Sequence, residues 1–134
     1  MLERLSPKFH IMQQEAPSPQ GLARLRAERD VDPQVAELYE EIARVDIKGA
    51  GPRYFRFWPP ERALEIDATY EVSANLPGSI PIGSDGGGNL IIVRNGSVFS
   101  VGYSVLDEDE MTPLGDTLAA FLENPEPLFA WVEE

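Results

Sequence analysis

The sequence predicts an α+β domain, a single mostly antiparallel sheet flanked by helices. Three observations lead there. Val35, Leu38, Tyr39 and Ile42 recur at i, i+3, i+4 and i+7, the spacing of one buried helix face. The aromatic richness of the stretch "RYFRFW" at 53–58 signals a strand. Asn95-Gly96 stands between the apolar runs that end at Val93 and begin at Val98, a strong hairpin signal. The strict βαβ alternation of a doubly wound nucleotide fold is missing.

Each element follows in order. Residues 1–20 read as an arm, because Pro7, Pro17 and Pro19 interrupt them and no apolar period is sustained. Residues 21–134 read as one domain. A helix starts near Gln20, with Leu22 and Leu25 on one side. Asp32 is placed to cap a second helix and Pro33 to open it, while the "KGAGP" at 48–52 ends it. After the aromatic strand, the two prolines of "PPERALEIDATYEVSANLP" open a third helix, with Ala63, Leu64 and Ala68 turned to the sheet. "SIPIGSD", "NLIIVRN" and "SVFSVGYSVL" then form three hairpin-linked strands. A last helix within "MTPLGDTLAAFLENP" aligns Leu114, Leu118, Phe121 and Leu122, and Asn124-Pro125 stops it. Leu128, Phe129, Trp131 and Val132 of the tail are expected to dock on the body.

A chain of 134 residues builds a core without covalent staples. With no cysteine it has no disulfide, thiolate metal site or cysteine nucleophile. No segment approaches the ~20 apolar residues of a membrane span, and nothing marks the chain for export, so cytoplasm is the expected compartment. Against 11 basic residues stand 23 acidic ones, a net charge of −12 that repels nucleic-acid phosphates. The charge is one-sided. After Arg94 there is no basic residue, while Asp107, Glu108, Asp109, Glu110, Asp116, Glu123, Glu126, Glu133 and Glu134 follow. Two readings stand side by side: a solvated, self-repelling surface, or a docking face for a basic partner.

The glycine-rich "PIGSDGGGNLIIV" at 81–93 tests for a phosphate loop. Gly83 to Gly88 has the spacing of half a P-loop, but Asn89 and Leu90 stand where Lys and Ser/Thr are needed, and a strand-like run follows instead of a helix. The dinucleotide pattern fails at Ile91, and Asp85 would repel phosphate. The loop therefore reads as a strand connection whose glycines permit a tight turn or bulge. His10, alone of its kind, leaves a histidine-based triad or metal cluster almost nothing to assemble from. The "DEDE" of 107–110 lacks the glycine and terminal glutamate spacing of a calcium loop. Trp58 and its aromatic neighbours read as core rather than a base-stacking platform, since no basic residues accompany the later strands. No catalytic, cofactor or metal residue is assigned, and an enzyme is not expected.

Four stretches together, "FRFWPPERALEI", "IPIGSDGGGNLIIV", "NGSVFSVGYSVL" and "LGDTLAAFLENP", resemble the SUKH superfamily, whose founding members are fungal regulators of cell-wall synthesis. The likeness covers residues 52–124: an aromatic strand into a helix, an "F.pIG.dg.Gd" strand and loop, a strand after a turn, and a helix of the "sF.eFL" type. The chain departs from the pattern in its N-terminal third, which lacks the leucine-proline entry, and at Asn89, where the family usually has aspartate. The resemblance implies a protein-binding module of that α+β fold, most concretely an immunity protein that neutralises a cognate toxin, often a nuclease. A housekeeping regulatory or scaffold protein is the alternative. On the immunity reading, Asp85, Asp107, Glu108, Asp109 and Glu110 are the expected contacts with a basic toxin domain.

Overall fold

The computed structural model describes residues 1–132; Glu133 and Glu134, counted above among the acidic residues, lie outside the described residues. The fold is α+β. Seven strands form one antiparallel sheet in sequence order: β1 (His10–Glu15), β2 (Arg44–Lys48), β3 (Tyr54–Phe57), β4 (Ile80–Ser84), β5 (Asn89–Arg94), β6 (Ser97–Gly102) and β7 (Thr112–Gly115). Helices α1 (Pro19–Glu28) and α2 (Pro33–Glu41) connect β1 to β2. α3 (Pro60–Tyr70) and α4 (Val72–Asn75) connect β3 to β4, and α5 (Leu118–Glu123) follows β7.

The strongest sequence signals land where expected. Asp32 caps α2 by accepting a hydrogen bond from the Gln34 amide at 2.8 Å. Asn95 and Gly96 take φ of 52° and 81° in the β5–β6 turn, so the connection twists with its strands. Ser84 and Gly88 bracket the glycine-rich loop, which joins β4 to β5 as a strand connection.

Three strands escape the sequence reading. Residues 1–20 are built into the fold, not hung from it: β1 pairs with β2, and Leu2 and Phe9 are buried. All six residues of β1 are exposed, so its edge position erases the alternation that would have announced it. α2 ends at Glu41, where Ile42 turns extended, and β2 follows; Val45 and Ile47 are fully buried. Leu114 lies on β7 rather than on the final helix, because Pro113 and Gly115 both disfavour a helix there. Within α3 the buried residues are Pro60, Ala63, Ile66 and Asp67, while Ala68 is exposed. Leu128 and Phe129 dock as expected, but Trp131 remains 58% exposed.

Strand alternation splits the core in two. On one face Phe55, Phe57, Ile82, Ile91, Val93 and Val98 pack beneath α1, α2 and α5. Five phenylalanines knit this core: Phe55 meets Phe57, Phe121 and Phe9 with centroids 5.6, 5.3 and 6.0 Å apart, and Phe9 stacks on Phe129 at 5.9 Å. Each buried ring is worth about 2–3 kcal/mol, which ties the N-terminal segment to the C-terminal turn. On the opposite face Leu90, Ile92 and Val101 join Trp58, Ala63, Ile66, Val72 and Leu76, with Leu106 and Met111 of the β6–β7 connection packed against them. That cover stops short of β2 and β3, where the same face carries Arg44, Asp46, Tyr54 and Arg56.

Candidate functional site

The β6–β7 connection builds a shoulder on the second face. Leu106 and Met111 anchor it to the small core, which leaves the residues between them facing out. Asp107 accepts a hydrogen bond from the Asp109 amide at 2.9 Å and so caps the short 3₁₀ turn Glu108–Glu110. One basic side chain reaches it. Arg94 donates to Glu108 at 2.7 Å and to the Pro77 carbonyl at 2.9 Å, clamping the turn to the start of β4. Asp107, Asp109 and Glu110 have no ion-pair partner among the described residues, and all four acids are exposed.

At the start of the same connection lies an aromatic centre that sequence reasoning did not assign to a site. Tyr70, at the end of α3, meets Tyr103 edge-on with centroids 4.9 Å apart. Tyr70 is 41% exposed, and Val105, two residues beyond Tyr103, is 48% exposed. The pKa of Tyr103 is raised above its ordinary value, chiefly by burial, with the charge of Asp85 adding to it and a Ser84 hydrogen bond opposing. Exposed aromatic and aliphatic groups at the start of the connection and exposed acids further along it are ingredients of an interface. The only signal for it in the sequence was Tyr70 falling off the buried stripe of α3.

Asp85, whose charge reaches Tyr103, is engaged within its own loop. Its carboxylate accepts from the Gly87 amide at 2.8 Å, the Asn89 amide at 3.3 Å and the Asn89 side-chain amide at 2.9 Å. These bonds form an Asx-type turn that closes the glycine loop and leave little of the carboxylate for a partner. Asn89, where the SUKH pattern has aspartate, is the side chain that donates to it; a second carboxylate there would repel the first.

Among the described residues no three or more His, Asp or Glu side chains are grouped to hold a metal ion, and no helix is long and apolar enough to cross a membrane. No family model matches the chain, and no curated protein matches it.

Proposed function

We propose that the protein is a non-enzymatic protein-binding module, an immunity protein of the SUKH type that neutralises a basic toxin domain by covering its substrate-binding surface. The observation that carries this reading is the shoulder itself: one connection that carries Tyr103, packed on Tyr70, then the exposed Val105, then the exposed acids Asp107, Glu108, Asp109 and Glu110. The acids stand in for the phosphates of the toxin's substrate, speed the encounter and fix its register, and the aromatic pair supplies the desolvated centre. The resemblance of residues 52–124 to SUKH sequences supports the toxin part of the reading, and the one-sided charge supports a basic partner.

The experiment is a pull-down of the tagged full chain from its own cell lysate at low and moderate salt. A single stoichiometric basic partner, released as salt rises and inhibiting growth when expressed without this chain, is the expected result. Recovery of several salt-insensitive housekeeping proteins would replace this reading with that of a scaffold.

A further inference from the structure

We propose that the cleft beside the N-terminal end of α3 is a binding site for a phosphate group, held by Arg44, Arg56 and Arg62. The cleft has a volume of about 380 Å³ and is lined by these three arginines together with Trp58, Ser84 and Tyr103. In a chain whose acids outnumber its bases by two to one, three guanidiniums from three separate elements converge on one concavity.

Two of them are fixed before any ligand arrives. Asp46 is 7% exposed and sits behind the cleft. It accepts from Arg44 at 3.2 Å and from the Tyr54 hydroxyl at 3.2 Å, and it lies 3.3 Å from Arg56 Nε, which in turn donates to the Tyr54 oxygen at 2.8 Å. One carboxylate shared by two guanidiniums leaves donors over. Arg44 Nε is buried without a hydrogen-bond partner, and the terminal nitrogens of Arg56 make no hydrogen bond among the described residues. Of the other carboxylates, Asp85 acts on Tyr103 in the cleft wall but accepts from Gly87 and Asn89 in its own loop, and two more are weak competitors. Glu15 approaches Arg44 only to 4.0 Å, and Arg62 pairs with Glu65 on the exposed surface of α3. Such exposed pairs are worth about 0–1 kcal/mol and yield to a better acceptor.

Phosphate fits this geometry better than carboxylate, because its oxygens accept from several directions while a carboxylate is satisfied by a single fork. Ser84 is the cross-strand neighbour of Arg56 and brings a hydroxyl to the same face. Trp58 and Tyr103 offer apolar wall for the rest of a small ligand, and the cavity falls within the usual range for one. A polyanion would meet the −12 field of the whole chain, whereas a small phosphate within a Debye length of the arginines feels mainly them. The site is therefore one for a small molecule and not for nucleic acid.

The test is an NMR titration of the ¹⁵N-labelled full chain at constant ionic strength, following the arginine Nε–H resonances with inorganic phosphate, a nucleoside monophosphate and acetate. Saturable shifts of Arg44 and Arg56 with either phosphate, and a midpoint at least about tenfold weaker for acetate, are expected. A lower midpoint for the nucleotide identifies an organic phosphate as the ligand, and the reverse identifies free phosphate. Arg56→Met strips Asp46 of a partner and risks unfolding, so Arg62→Met is the informative variant. It should weaken phosphate about tenfold, while Arg24→Met on α1 leaves the midpoint unchanged. Equal responses to acetate and phosphate, or non-saturating shifts shared by Arg24, would overturn the proposal and leave the cluster a structural ion-pair network.

Discussion

Gly83 and Arg56 meet backbone to backbone: a Cβ placed on Gly83 would lie 2.0 Å from the Arg56 carbonyl oxygen. β3 and β4 pair through only two positions, Arg56↔Ser84 and Phe57↔Gly83, and β4 carries a bulge between Pro81 and Gly83. This contact joins the two halves of the sheet. Gly83→Ala must push the strands apart and is expected to cost about 3 kcal/mol. Gly88→Ala, in the same loop but with open space around it, is expected to stay within about 0.5 kcal/mol. Urea unfolding of the two variants checks the contrast.

Asp67 holds α3 to the start of α4 and to the end of α1. It accepts from the Ser73 amide at 2.7 Å and the Ser73 hydroxyl at 3.1 Å, and it pairs with Arg29. The carboxylate is buried, so its removal strands both a guanidinium and an amide. Asp67→Ala is expected to cost about 3 kcal/mol, and Ser73→Ala about 1 kcal/mol. The two losses should be non-additive in a double-mutant cycle measured by denaturation, since they share one carboxylate.

Stability is expected to fall in two steps at alkaline pH. Desolvation pulls the Met1 amine's pKa down, but hydrogen bonds and charge from Glu3 and Glu41, each 2.6 Å away, hold it above its ordinary value of 8.0 in net. A raised folded-state pKa means that this stabilisation is complete below pH 8 and is lost as pH climbs through the folded value. Tyr39 gives the second step. It is buried, its hydroxyl donates to the Trp58 carbonyl at 2.8 Å, and burial, then the charge of Glu61, pushes its pKa far up. The unfolded chain releases that proton above about pH 10, so unfolding is favoured there. Acetylating the amine should abolish the first step, and Tyr39→Phe should make the second shallower, as read by denaturation midpoints across pH.

What the sequence revealed and what it concealed divide along physical lines. α2 and the β5–β6 hairpin rest on local chemistry, Asp32 on the Gln34 amide and two positive-φ residues in a two-residue turn, and both are legible without tertiary knowledge. β2 and β7 are hidden because they are four or five residues long and their apolar residues, Val45 or Leu114, also fit the stripe of the neighbouring helix; only pairing with β3 and β6 decides between them. β1 is hidden for the opposite reason, having no buried face at all. The acids of 107–110 were visible as composition, but their aromatic companion was not, since Tyr70 and Tyr103 are 33 positions apart and meet only through the packing of α3 on the second face. Arg44, Arg56 and Arg62 were similarly scattered among strand and helix surfaces.

The central claim is that the shoulder is the binding surface. Its aromatic centre gives one expectation: Tyr70→Ala should weaken the captured partner by at least about tenfold, with the thermal midpoint little changed because the ring is partly exposed.

The most direct measurement is the partner's affinity at two ionic strengths for the wild-type chain and for the fourfold variant Asp107→Asn, Glu108→Gln, Asp109→Asn, Glu110→Gln. Asparagine keeps the cap at 107, and the Arg94 pair lost at 108 is exposed, so the fold should persist. The variant should bind at least about tenfold more weakly at low salt and lose most of the salt dependence. Equal affinity with an unchanged salt dependence would contradict it and leave the acids as solvated surface.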